Sequence, residues 1–204
     1  MPPKEPRNQH REGLRQEILD AARDLFVSEG YELTSVRRIA DKAGCATGTL
    51  YLYFDDKTAI LAELCMETFA RLSTRMEAIL KDPGPPLEAM RRGCRLYIEF
   101  GLQNPSHYIL TFIMSGRLLD EKTVQSHLMT AGARCFGNLR AVTQHCIEEG
   151  LIRISDVDEA SQAVWAGIHG ITSLLITKPG FPWVEQTRLI ETLLDVLIEG
   201  IRKK

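Results

Sequence analysis

The chain has 204 residues, 44% of them hydrophobic and 25% charged, a composition that suits a folded globular protein long enough for one small domain and one larger one. Its formal net charge is −2, and residues 1 to 60 carry nine Lys and Arg against ten Asp and Glu, which argues against bulk electrostatic attachment to nucleic acid. No apolar run reaches the roughly eighteen residues of a membrane span, and Met1 to Arg15 has no export pattern, so the sequence points to a cytoplasmic protein with no membrane partner.

In chain order, the first feature is a basic arm. Lys4, Arg7, His10, Arg11 and Arg15 crowd the N-terminus, where such arms reach the phosphate backbone or the minor groove. Pro2, Pro3 and Pro6 suit a disordered tail equally well.

Residues 34 to 57 then read as two short helices joined by a glycine turn. Val36, Ile39, Ala40 and Ala43 recur at spacings of three and four and form one apolar face, leaving Arg37, Arg38, Asp41 and Lys42 towards solvent. Gly44 ends that helix, as a residue free to take positive φ does. The second segment buries Leu50 and Phe54 and exposes Thr47, Thr49, Tyr51 and Tyr53, with Gly48 allowing close backbone approach. This is a helix-turn-helix, and double-stranded DNA is its expected partner. Ser35, Arg37, Thr47, Gly48, Thr49, Tyr51, Tyr53 and Lys57 are the candidate DNA contacts, Lys57 as a phosphate anchor.

Residues 14 to 64 resemble the N-terminal domain of TetR/AcrR-type transcriptional regulators. The match falls on Ile39, Ala40, Ala43, Gly44, Gly48, Thr49, Leu50, Tyr51, Tyr53, Phe54 and Lys57, with Ile60 where the family has leucine. Upstream, Ile18 to Phe26 and the Gly30-Tyr31 turn resemble the family's first helix and its closing turn. The pattern is departed from in two places. Cys45 and Ala46 replace valine and serine, and an alanine offers no oxygen to orphan amides at a helix start, so capping is expected to shift to Thr47. Asp56, before Lys57, is a good N-cap for the next helix but repels phosphate.

Beyond this head the chain reads as helical throughout. A helix is predicted over residues 57 to 81, with an apolar stripe of Ile60, Leu61, Leu64, Phe69, Leu72, Met76, Ile79 and Leu80, closed by Asp82 to Pro86. Further helices are predicted over 87 to 103, from Ser106 through Ser115, from about 120 to 149, over 156 to 177, and over 183 to 202. The expected fold is all-α, about nine helices, with a three-helix DNA-binding domain over residues 1 to 56 and a larger helical effector-binding and dimerisation domain over 57 to 204. Ala163, Gly167, Gly170 and Leu174 form a smooth stripe, and residues 189 to 201 are apolar around more than half their circumference, which predicts a homodimer through 156 to 177 and 183 to 202. The TetR resemblance implies the same four-helix interface.

Trp165 and His169, four apart, resemble the Trp-x-x-x-His-Gly pattern of one group of TetR-type C-terminal domains. With Tyr97, Phe100 and Phe112 they are candidate lining for an unidentified small-molecule effector, although aromatic residues at helical spacing read equally well as core; His107 is a further candidate of the same kind. No nucleophile-base-acid set, phosphate-cradling loop or catalytic carboxylate pair stands out, so neither enzymatic activity nor a cofactor is expected. Five cysteines without a Cys-x-x-Cys pair read as reduced thiols rather than a metal site.

The function expected from these features is a homodimeric regulator, a repressor that binds a pseudo-palindromic operator and is released by a mostly apolar ligand. Two alternatives fit the same residues: a helical ligand-binding or enzymatic protein whose helix-turn-helix no longer reads DNA, and a TetR-type activator without an effector.

Overall fold

The computed structural model describes residues 7–81, 84–115 and 122–204. Nine α-helices and no strand are present among them: α1 (Arg7–Glu29), α2 (Val36–Lys42), α3 (Thr47–Leu50), α4 (Lys57–Lys81), α5 (Pro86–Gln103), α6 (Pro105–Tyr108), α7 (Lys122–Glu148), α8 (Val157–Thr177) and α9 (Gln186–Ile201). The expected α4 boundaries are reproduced residue for residue. Lys4, the prolines of the arm, Asp82, Pro83 and Asp120 lie outside the described residues, as do the side chains of Arg7 and His10.

Backbone contacts group the chain into two units, Met1–Thr68 with Ser106–Leu128, and Phe69–Pro105 with Met129–Lys204. The first unit is built on a core that α1, α2, α3 and the start of α4 share. Ile18, Ala22 and Phe26 repeat every four residues along α1 and meet Ile39 and Ala40 of α2, Leu50, Phe54, and Ile60, Leu61 and Leu64 of α4. At about 1.5–3 kcal/mol for each large apolar side chain taken out of water, this cluster is what holds three short elements in place.

Turn chemistry sets where each element stops. Gly30 adopts φ 94° after α1, and Tyr31 then folds back onto Phe26 with ring centroids 5.1 Å apart. The segment after α6 departs from expectation. Ile109–Met114 winds as a π-helix rather than continuing an α-helix. A polar tie crosses the unit here: Arg23 of α1 donates to His107 Nε2 at 3.2 Å, and Thr68 Oγ1 lies 3.2 Å from Nδ1. Because a guanidinium only donates, the imidazole proton belongs on Nδ1, facing Thr68, whose own hydroxyl donates to Leu64 O at 2.8 Å.

The second unit packs α5, α8 and α9 against one another. Met90, Cys94 and Ile98 of α5, Val164, Ile168 and Ile171 of α8, and Ile190, Leu194 and Ile198 of α9 are among its buried residues. Ion pairs fix the register of α5 on α9: Arg91 reaches Asp195 at 2.6 Å and Glu191 at 2.8 Å, and Arg95 also pairs with Glu191. A Cβ on Gly167 of α8 would lie 2.8 Å from Leu197 Cδ2, so that glycine is the point of close approach to α9 within one chain. The last helix begins at Gln186, not at Trp183 as the sequence suggested. Glu185 caps it through Thr187 N and Arg188 N.

Candidate nucleic-acid interface and effector wall

The helix-turn-helix assembles from local rules. Ser35 caps α2, its Oγ accepting from Arg38 N at 3.3 Å, and Gly44 leaves α2 with φ 70°. Cys45 N then donates to Ala40 O at 3.0 Å, and Cys45 packs on the core as a small apolar residue. At the start of α3 the expectation of a shifted cap is corrected. Ala46 itself is the N-cap, in extended conformation and with no side-chain acceptor, and Thr47 is the first helical residue. The end amides of the reading helix therefore lack a side-chain oxygen.

Residues 51 to 54 carry the helical path onward: Tyr51 N donates to Thr47 O at 3.3 Å and Phe54 N to Leu50 O at 3.1 Å. Leu50 and Phe54 are buried, as their spacing required, and Tyr51 is 52% exposed. Tyr53 is only half-exposed, packed against the core with the Arg11 guanidinium 5.8 Å from its ring centroid, which corrects its assignment to the solvent face. Thr47 and Thr49 are partly exposed and Gly48 is exposed.

Charge around the head is mostly spent within the fold. Arg38 pairs with Glu29, Lys42 with Asp24 at 3.1 Å, and Arg15 with Glu63 at 2.9 Å. Arg37 is exposed and forms no ion pair among the described residues. Lys57 is more engaged than a surface phosphate anchor would be. Its Nζ donates to Tyr31 O at 2.9 Å and Thr34 O at 3.4 Å and lies 4.2 Å from the Tyr31 ring centroid. It pins the turn between α1 and α2 to the start of α4, with Asp56 capping α4 through Ala59 N at 2.7 Å. Of three ammonium protons, two have acceptors inside the protein.

In the second unit, three of the five expected effector residues lie together: Tyr97, Trp165 and His169. Tyr97 Oη is 3.1 Å from His169 Nδ1, and Trp165 stacks 5.3 Å from His169 and 5.9 Å from Phe136. Burial holds the His169 imidazole below its ordinary pKa, so it is neutral at pH 7. Phe100 is buried on the same helix as Tyr97. Phe112 belongs to the first unit, its ring centroid 4.9 Å from that of Tyr108. Phe136 was missed in the sequence because a lone aromatic in a mixed helix gives no signal. A distinct open groove of about 320 Å³ lies along α5 and the start of α9, lined by Arg95, Glu99, Gln103, Gln186, Thr187 and Glu191 among others; none of the five expected effector residues lines it.

Among the described residues no group of three His, Cys, Asp or Glu could hold a metal ion, and no helix is long and apolar enough to cross a membrane. Burial pushes the Cys65 and Cys146 thiols up to about 11 and those of Cys94 and Cys135 up to about 12, which leaves all four protonated at neutral pH.

Comparison with known proteins places these features in a family. Residues 18–64 match the family described as bacterial regulatory proteins, tetR family, and residues 90–199 match the tetracyclin repressor-like C-terminal domain. The transcriptional regulator SrpR of Pseudomonas putida is 27% identical over 167 residues, covering 80% of this chain and 74% of that protein. The fatty acid metabolism regulator of Bacillus subtilis is 38% identical over 74 residues, a match that spans 38% of that protein's length. Among solved structures, the TetR family regulator PfmR of Thermus thermophilus is 25% identical with a TM-score of 0.77, covering 91% of this chain and 99% of that one. FadR of Bacillus subtilis, solved in complex with stearoyl-CoA, shares the fold at 24% identity and a TM-score of 0.78, covering 91% of this chain and 98% of that one. The chain belongs to the TetR family of DNA-binding transcriptional regulators.

Proposed function

We propose that the chain acts as a homodimeric repressor that binds a pseudo-palindromic operator and leaves it when a mostly apolar small molecule enters the C-terminal domain. The observation that carries this reading is the helix-turn-helix of residues 35 to 54 joined to a tetracyclin repressor-like C-terminal domain. Thr47, Thr49, Tyr51 and the Gly48 backbone meet the major groove, while Arg37 and the Ser35 hydroxyl meet phosphate. Tyr53 and Lys57 hold the head in shape, and the third ammonium proton of Lys57 is left for a phosphate oxygen.

The dimer forms through residues 156–177 and 183–202, a reading supported by the exposed apolar residues Leu174 and Val196 on α8 and α9. The effector meets a wall of Tyr97, Phe100, Trp165 and His169, apolar except for one hydroxyl and one neutral imidazole. A similar chain solved with stearoyl-CoA and a relative named for fatty acid metabolism support an apolar effector. Release is a population shift: the ligand favours a tilt of α4 that moves the two heads out of register with their half-sites.

Selection from random duplexes at low salt, followed by a screen of apolar compounds on the recovered complex, tests the reading. A two-fold symmetric site released by at least one compound supports it. Recovery of no symmetric site contradicts it.

A further inference from the structure

The reading surface lacks the side chains that usually tell bases apart. From Ala43 to Phe54 there is no Arg, Lys, Asn, Gln, Asp or Glu, so the bidentate pairings that specify guanine and adenine, and the carboxylate contact that specifies cytosine, are unavailable on α3 and the turn that follows it. What remains accessible is a set of hydroxyls, the methyl groups of Ala46, Thr47 and Thr49, and one larger aliphatic side chain, Leu52. Leu52 is 73% exposed, although Leu50 and Phe54 on either side of it are buried. Tyr51 N donates to Thr47 O and Leu52 N to Thr49 O, so Leu52 lies in the turn that closes α3, two residues past its last helical residue. At Gly48 a Cβ would meet none of the described atoms within 4 Å.

Threonine and tyrosine hydroxyls bond to either donors or acceptors and discriminate weakly, whereas an aliphatic group in the major groove has one specific partner, the C5-methyl of thymine. We propose that Leu52 is the specificity-determining residue of the head and reads a thymine methyl in each half-site. This rests on the regulator reading above and adds to it the base that the operator must contain.

The test uses the full chain and an operator recovered from random duplexes. Each thymine is replaced in turn by deoxyuridine, which removes the methyl and leaves the pairing edge unchanged. Wild-type protein should lose about fourfold in affinity per half-site at one thymine, the worth of one methyl-sized group removed from water. Leu52→Ala, a surface change that leaves the core intact, should bind thymine and uracil duplexes equally, and Leu52→Met should keep the sensitivity. The proposal is overturned if Leu52→Ala retains the full uracil penalty, or if no thymine responds to loss of its methyl. Failure to recover any symmetric operator would instead contradict the regulator reading, and the inference with it.

Discussion

Lys57 shows how one residue combines two roles that sequence separates poorly. Its ammonium holds the carbonyls of Tyr31 and Thr34, so Lys57→Met, which keeps the stem and removes the charge, should lower stability by about 1 kcal/mol in urea unfolding; the figure is reduced because the residue is partly exposed. If the third proton also meets phosphate, the same variant should flatten the dependence of log affinity on log salt by about one unit. An unchanged slope with lowered stability would leave Lys57 the structural role alone. His169 gives a pH test. Its imidazole is held below the ordinary value of 6.5 by burial, so the unfolded chain takes up the proton first as pH falls. Stability from this group is whole above about pH 6.5 and declines as pH falls further, and His169→Gln should flatten the decline in thermal scans between about pH 8 and pH 5. Thr47, Gly48, Thr49 and Tyr51 were legible as an exposed set because helical spacing fixes their face. Tyr53 was not, because its ring is covered by Arg11, a residue forty-two positions away that no local pattern connects to it.

Among the elements, α3 is the weakest by construction. It is a single helical turn, starts without a side-chain cap and follows a glycine in left-handed conformation. Ala46→Ser should supply the missing oxygen and raise stability by about 1 kcal/mol in thermal or urea unfolding. Gly44→Ala should cost about 1 kcal/mol because φ 70° places a Cβ against the following carbonyl. Loss of stability in the serine variant would show that the start of α3 is already satisfied. The bounds of α4 were legible to the residue, since Asp56 caps its start, an apolar stripe runs its length and a proline-glycine breaker follows. The π-helix over Ile109–Met114 was not, because the same apolar residues suit an α-helix. Residues 183–185 were assigned to α9 for a related reason: Trp183 and Val184 extend its apolar pattern, while the Glu185 cap and the Trp183 Nε1 bond to Lys178 O at 3.0 Å end it sooner.

At the scale of the molecule, the head alone is poorly equipped to hold DNA. Arg38, Lys42 and Arg15 pair with carboxylates, Lys57 spends two protons on the fold, and α3 has no charged residue. In the proposed dimer, two heads gain by effective concentration what each lacks in contacts. The excess apolar circumference of the last two helices was legible in the sequence, but its division was not: Gly167 and Leu197 meet within one chain, whereas Val196 is 63% exposed and is left for the proposed dimer. Val196→Asp should therefore shift the protein towards monomer in sedimentation while leaving helix content unchanged. The most direct measurement compares affinity for the full two-fold operator with affinity for an isolated half-site at the same salt. The account predicts that the full site binds about 100-fold more tightly or better, and that Val196→Asp abolishes the difference; equal affinity for half and full sites would contradict it.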